Sequence, residues 1–546
     1  VDQFRARRRR HTPAVPVATV IVAQILAAVA CLLALLAGLP LWAAAVSAFV
    51  AGGVMFARVG GRMTLSWLGS VWLFLRNRRP VAGHSADFRS PGESVGLHWI
   101  DGQVLAVVEL LPPQRGWTRI TRESFDSGEC VPVSALADCL EQHDVSLSGI
   151  DIVSHGSRAV AGTPAADVYD SLVGPLPAVA QRGVWIVLRF DAADHPESVA
   201  RRGGGEEGAS RTVAVAARRV VRALADAGCR SRILTASEIE SASARICRGV
   251  HPTAMDQDWS HVPLPGVVNV GNAIDPRRLS REVLTAVWAA PSVGTTVAIR
   301  LRPSGRPGSV RAGAAFRRTV RSTPEQLAVP GVITMQGRHR DALLSHLPTS
   351  SPHLDGLTPL SEIDRADLDA LALPVAGCGQ LVGSDAHGHA VTARVTGRGV
   401  VDVYLAGELY LAQQVVFRAV ATGARVLIHT DRPHAWAMLI GVVATPTRLR
   451  AAGESSWSDT GFDTVVVDGV PAPPARAGVT TIHLHSHPRQ WPPTAPDLAI
   501  MQPGAAGDRV VLTTGDRHVE LALVTIASET AFIGRGRTPT GLVGAR

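Results

Sequence analysis

The sequence predicts a membrane-anchored α/β protein: an N-terminal two-helix transmembrane hairpin, then layered α/β cytoplasmic portions with a mostly β C-terminal end. Three observations predict it. Residues 13–57 are apolar and carry no charged side chain. From about residue 93, strand-like runs alternate with amphipathic helical patterns, as in a sheet covered by helices. From residue 463 onward the patterned runs are strands, at 463–468, 479–485, 509–514 and 519–526. The chain divides into a basic and apolar segment (1–80, two transmembrane helices and an interfacial helix), a first cytoplasmic α/β domain (93–250), a second α/β portion (262–346) and a C-terminal α/β portion (374–546).

The run Pro13–Gly38 is long enough to cross a bilayer. Gly38-Leu39-Pro40 breaks it, and Leu41–Ala57 follows as a span of near-minimal length. Arg7, Arg8, Arg9 and Arg10 precede the first span; Arg58, Arg62, Arg76, Arg78 and Arg79 follow the second; the turn between has no charge. Positively charged flanks stay inside, so both termini and the soluble body are expected on the cytoplasmic side of the plasma membrane. The apolar run is too long for a signal-peptide core, and a second span follows at once. Residues 63–79 hold two tryptophans and a basic end, which predicts an interfacial helix; the competing reading packs it on the soluble core.

In the soluble body, Asp101-Gly102 between two apolar runs predicts a tight hairpin. A helix capped by Ser134, a strand near 150 and a continuous apolar strand at 183–191 follow. The stretch 201–209, "RRGGGEEGA", reads as a flexible surface loop, because its glycines lack phosphate-loop spacing. Residues 211–228 form an amphipathic helix closed by Gly228, then a strand and a helix. The second portion offers a strand, the helix "DPRRLSREVLTAVWAA" and two strands that could pair. The third opens with a helix over about 407–422 stopped by Gly423, a strand at 425–429, a turn at 430–433 and a further helix.

Composition excludes several chemistries. All 54 basic residues are arginine. A phosphate-binding P-loop, which needs a lysine, is impossible, and so is a lysine Schiff base; no nucleotide and no cofactor is expected. The net charge of +8 is concentrated in residues 1–80, which hold ten arginines and one acid. The basic balance therefore belongs to the membrane flanks, and no nucleic-acid partner is expected. The six cysteines are scattered without a C-x-x-C, as in reduced cytoplasmic proteins.

One stretch invites an enzymatic reading. In "TTIHLHSHPRQWPPTAPDL", His483, His485 and His487 alternate on one face of a strand. His485, His487 and Asp497 could hold zinc in the manner of a metal-dependent isopeptidase. The spacing to Asp497 is one residue short, threonine replaces the usual serine, and no upstream glutamate can be assigned. The preferred reading is a strand end whose histidines carry no metal. "GESVG" (92–96) matches a nucleophile elbow but precedes a strand instead of following one, leaving Ser94 as an ordinary loop serine. "DQD" (256–258) reads as a solvated loop.

A short membrane hairpin followed by an α/β body resembles EccE, a component of the type VII (ESX) secretion machinery of mycobacteria and related actinobacteria. "AGELYLAQQVVFRAVATGARVLIHTDRPHAW" (406–436), "LPAVAQRGVWIVLRFD" (176–191) and "IDIVSHGSR" (150–158) carry the resemblance. It implies a non-enzymatic structural subunit of an inner-membrane complex with EccB, EccC and EccD, in contact with the bilayer, ATP hydrolysis being supplied by EccC. Within the longest motif, Gly423, His429, Asp431, Arg432, Pro433 and Trp436 are expected to be structural: Asp431 capping the next helix or pairing with Arg432, Pro433 fixing the turn, and Trp436 packing. The alternatives are a membrane-tethered zinc hydrolase and a degenerate glycosyltransferase-like fold without activity.

Overall fold

The computed structural model describes residues 17–59, 62–76, 80–90, 92–113, 116–122, 124–126, 128–160, 162–322, 327, 329–453, 460–505 and 507–533. Three helices open it: α1 (Val17–Leu36), α2 (Leu41–Val54) and α3 (Thr64–Arg76). No charged residue lies in α1 or α2. They pack closely where Gly52 faces α1: a Cβ there would lie 3.4 Å from the Ala23 carbonyl oxygen and 3.5 Å from the Ala27 Cβ. Gly38, with φ +75°, ends the first helix, the left-handed turn that glycine adopts without strain.

The body is built on two large sheets, each of twelve described strands. The first is antiparallel throughout. Its centre is the strand Gly149–Ser157 between Gln181–Asp191 and Gly294–Arg302. Strands from both 93–250 and 262–346 lie side by side in it. Helices cover both faces. Val104, Ala106 and Val108 pack with the helix Gly205–Asp226 on one side. Leu105 and Val107 pack with the helix Ala236–Ile246 on the other. Burial on both faces is what makes these strands continuously apolar, although such runs are more typical of parallel sheets. The hairpin at Asp101-Gly102 is present, both residues having positive φ (47° and 79°), as a type I′ turn requires.

Three local expectations are corrected. Ser134 is not the helix cap: the helix is Val133–Asp138, Pro132 precedes it, and the Ser134 amide donates to Asp369 at 3.0 Å. The stretch 201–209 is not a loop throughout. The helix Gly205–Asp226 begins inside it, and Glu206 and Glu207 fall in its first turn, where carboxylates complement the helix dipole. Ser94 is a strand residue, paired with Arg89.

The second sheet is mixed. Six strands run parallel in the order Leu449–Ala451, Val426–Thr430, Thr464–Asp468, Thr480–His485, Asp402–Ala406 and Leu498–Met501. An antiparallel flank follows, ending at a hairpin of strands Trp117–Ile120 and Phe125–Asp126 donated from far upstream. The helices Leu409–Ala421, Pro433–Val443 and Ala527–Ile533 enclose its core. The last of these was not anticipated in the mostly β end.

Candidate functional site

Two surfaces concentrate the residues singled out in the sequence. The first is the outer face of α1 to α3. Leu36, Leu41, Trp42 and Phe49 are 75%, 78%, 71% and 82% exposed. An apolar surface this extended needs lipid or protein to cover it. Among the described helices α1 alone is long and apolar enough to cross a bilayer. The 14 residues of α2 reach about 21 Å at ~1.5 Å per residue, against a hydrocarbon core of about 30 Å.

Helix α3 has two different faces. Trp67 and Phe74 pack on Trp259 of the soluble body, with ring centroids 6.1 and 5.4 Å apart. Leu68, Trp72 and Leu75 face outward. One stripe holds the body and the other is apolar and exposed. The backbone places Arg58 and Arg62 in a two-stranded ribbon between α2 and α3, and Arg76 stacks over Trp72 at 4.8 Å. Arg7, Arg8, Arg9, Arg10, Arg78 and Arg79 lie outside the described residues.

The second surface is the carboxyl edge of the parallel strands, where open α/β sheets bind their ligands. His429, Asp431, Arg432, His485 and His487 all gather there, because they end or follow the strands Val426–Thr430 and Thr480–His485. The proposed zinc set is not assembled. Asp497 lies at the opposite end: its carboxylate accepts from the amides of Val401 (2.7 Å) and Asp402 (3.3 Å). Asp402 pairs with Thr481 and Ala406 with His485, so about four residues, ~13 Å of strand, separate the two ends. His487 accepts from the Arg489 amide at 3.1 Å and caps a short 3₁₀ turn. His483 bonds Asp402 at 3.1 Å. Burial, and then the neighbouring His483, hold His485 below the ordinary imidazole value. Purified chain is expected to hold substoichiometric zinc, unchanged by His485→Ala. Stoichiometric zinc lost in that variant would restore the hydrolase reading.

A different group, which the sequence reading passed over, brings its ligand atoms within 4.8 Å of one another: Asp385, His387 and His389. Its D-x-H-x-H spacing was visible locally. The Asp385 carboxylate is already occupied. It accepts from the amides of His387 (2.9 Å) and His389 (3.0 Å) and pairs with the Arg119 guanidinium at 2.8 Å. A metal would have to displace a cation from its one carboxylate, so the group is better suited to fixing a turn. Of "DQD", Asp258 pairs with His261 at 3.0 Å, and both aspartates are exposed.

Comparison with known proteins bears on the whole chain. Residues 178–273 match the family model described as "Putative type VII ESX secretion system translocon, EccE". The ESX-5 secretion system protein EccE5 of Mycobacterium marinum is 27% identical over 307 residues, 54% of this chain and 74% of that protein. The ESX-2 secretion system protein EccE2 of Mycobacterium tuberculosis is 25% identical over 525 residues, 90% of this chain and 93% of that one. These comparisons support an EccE component of a type VII secretion system.

The segment matched to EccE forms part of the first sheet and its covering helices, from the strand Gln181–Asp191 to the strand Val267–Ile274. The motif 406–436, which carried most of the resemblance to EccE, lies in the second sheet. Gly423 sits at the seam between them. Its φ is +117°, and a Cβ there would lie 2.6 Å from Gln181 Nε2 and 2.7 Å from Val160 Cγ2. Asp431 neither caps the next helix nor pairs with Arg432. The residue at the cap position is Arg432, with Pro433 first in the helix. The Arg432 guanidinium grips Asp468 with bonds of 2.7 and 2.9 Å, and Thr430 (2.9 Å) and the buried Trp436 (2.8 Å) donate to the same carboxylate. Burial would raise the Asp468 carboxyl; the bonds from Arg432, Trp436 and Thr430 more than reverse this and hold it below the usual value. Asp468 was missed because its pairing with Thr430 exists only once the strands align. His429 is half-buried within its strand.

Proposed function

We propose that this chain is a non-enzymatic structural subunit of a type VII secretion inner-membrane complex, supporting assembly and stability of the export machine. The observation that carries the reading is the exposed apolar surface of α1, α2 and α3 on a body where Trp436, His487 and Asp497 are held in structural bonds. Relatives named as ESX secretion system proteins supply the assembly. In this reading α1 and α2 both insert as spans, the shorter α2 being accommodated by local thinning of the bilayer. Both termini and the soluble body lie in the cytoplasm. The portion 374–546 serves as a unit built on the parallel strands, and the body meets EccB, EccC and EccD.

Two measurements test it. After mild detergent extraction, EccB, EccC and EccD are expected to co-purify with the chain, and removal of residues 17–54 should abolish this. Assembly of an intact complex without the chain would overturn the structural role. On intact cells, a membrane-impermeant maleimide should label Leu39→Cys in a cysteine-free background and should reach Arg89→Cys only after permeabilisation. The reverse pattern would overturn the topology.

A further inference from the structure

A cavity of about 280 Å³ opens at the seam between the two sheets. The first sheet lines it with His155, Gln181 and Thr319 and with Arg245 and Arg248 at the end of the helix Ala236–Ile246; the second sheet supplies Arg448. We propose that this cavity binds a small phosphate-type anion, clasped between Arg245 and Arg248 on one side and Arg448 on the other.

Elsewhere on this face of the first sheet, arginines are neutralised. Arg189, Arg300 and Arg302 are buried there, and Asp151 and Asp355 neutralise them through ion pairs. A few residues along, the cavity is lined by three guanidiniums and no carboxylate. Among the described residues none of Arg245, Arg248 and Arg448 forms an ion pair. Arg448 makes one long bond, 3.4 Å, to the Gly423 carbonyl. Behind the wall, Arg317 is 1% exposed and bonds only neutral groups, Thr319 Oγ1 and the Ile246 carbonyl, and both of those residues line the cavity.

The nearest acids are engaged elsewhere. Glu109 and Asp463 line the adjacent cavity, which meets this one at Gln181 and Arg245. Glu109 pairs with Arg232 and Arg398 at 2.7 and 2.8 Å. Asp463 accepts from the Arg425 amide at 2.9 Å and from Thr464 at 3.0 Å. Arg245 and Arg248 are exposed and Arg448 is half-buried; cations gathered in one cleft whose lining holds no carboxylate raise its affinity for anions. The field registers on His155, which burial and then Arg317, Arg245 and Arg248 hold well below its ordinary value, so that it stays neutral. A helix C-terminus favours nearby cations and accounts for Arg245 and Arg248 singly. It accounts neither for Arg448, which arrives from the other sheet, nor for Arg317 behind them. Guanidinium-bearing residues supplied by both sheets suit tetrahedral oxyanions, which take paired N–H bonds. Such an anion would tie one sheet to the other at the seam that Gly423 keeps close.

Inorganic pyrophosphate is the probe, titrated calorimetrically into the full-length chain in detergent at constant ionic strength. Saturable binding is expected, weakened at least ~10-fold in Arg245→Gln/Arg248→Gln and in Arg448→Gln, and unchanged in the surface control Arg89→Gln/Arg222→Gln. Arg245→Lys/Arg248→Lys keeps the charge and guards against misfolding; it should bind with intermediate affinity. Repeating the titration in nanodiscs with and without phosphatidic acid identifies the source of the phosphate: competition marks a lipid headgroup, unchanged affinity a soluble ligand. No binding to the wild-type chain, or equal binding to the Gln variants of the cavity, overturns the proposal.

Discussion

Asp151→Ala is expected to destabilise the first sheet as a whole, by about 3–5 kcal/mol, the usual cost of removing one partner from a buried ionic network. Asp151 lies on the central strand, 3% exposed. One carboxylate oxygen accepts from Arg189 Nε and the other from Arg302 Nη1, both at 2.6 Å. Asp355 holds Arg302 from the other side at 2.7 Å and also pairs with Arg300. Ser350 and Ser345 complete the arginines' bonds through their carbonyls. Without Asp151, Arg189 keeps no carboxylate partner, and Arg300 and Arg302 share the one remaining acid, Asp355. Chemical denaturation followed by tryptophan fluorescence should show the midpoint for the first sheet falling well below that of the wild type. A loss under about 1 kcal/mol would place the network among pairs that contribute little. Removing the exposed pair Arg201–Glu197, 62% and 85% exposed, should by contrast be nearly silent.

The sign of the pH dependence follows from the same geometry. Burial would raise the Asp151 carboxyl, but Arg189, Arg302 and Arg300 more than reverse it and leave it well below the ordinary carboxylate range. A carboxyl depressed in the folded state contributes stability that is fully present above its unfolded value, about 3.9, and is lost as pH falls toward the folded value. The difference between wild type and Asp151→Ala should therefore be constant near neutrality and shrink below about pH 4.

Glu529→Ala should act locally instead. Glu529 is fully buried and bonds Arg418 at 2.7 and 2.8 Å. Arg418 also donates to the Leu381 carbonyl at 2.9 Å and to that of Val524. The pair ties the helix Ala527–Ile533 to the helix Leu409–Ala421, helped by Phe417 against Phe532 at 5.0 Å. Seven residues cannot sustain a helix without tertiary support. A penalty of about 3 kcal/mol exceeds what so small a segment contributes, so it should undock and leave Arg418 to water. Hydrogen exchange over 527–533 should accelerate about 100-fold, with the parallel strands still protected. A replacement of both partners by apolar residues, Arg418→Met with Glu529→Leu, should recover most of the protection. Unchanged exchange in Glu529→Ala would show that the apolar contacts alone dock this helix.

Much of this was legible along the chain, for a physical reason. Charge-free apolar runs, hairpin dipeptides and helix-stopping glycines act over a few residues, so α1, the turn at Asp101-Gly102 and the stop at Gly423 are properties of local sequence. The resemblance to EccE rested on such local motifs too. Pairing was not legible. The first sheet is antiparallel although its strands are as evenly apolar as parallel ones, because helices cover both faces. The hairpin 117–126 joins a sheet whose other strands begin some 260 residues later. The misassigned side chains have the same origin. Arg432 had Asp431 beside it in sequence, yet Asp468 is its partner because two parallel strands bring that carboxylate to the same edge. His485 and Asp497 are twelve residues apart, yet parallel strands place them at opposite ends of the sheet. By itself the sequence determined the apolar anchor, the alternation of strands and helices and the chemistries that a chain without lysine cannot perform. Only the tertiary structure decided which charges meet, because ion pairs and cavities form between segments whose separation along the chain says nothing about their distance in space.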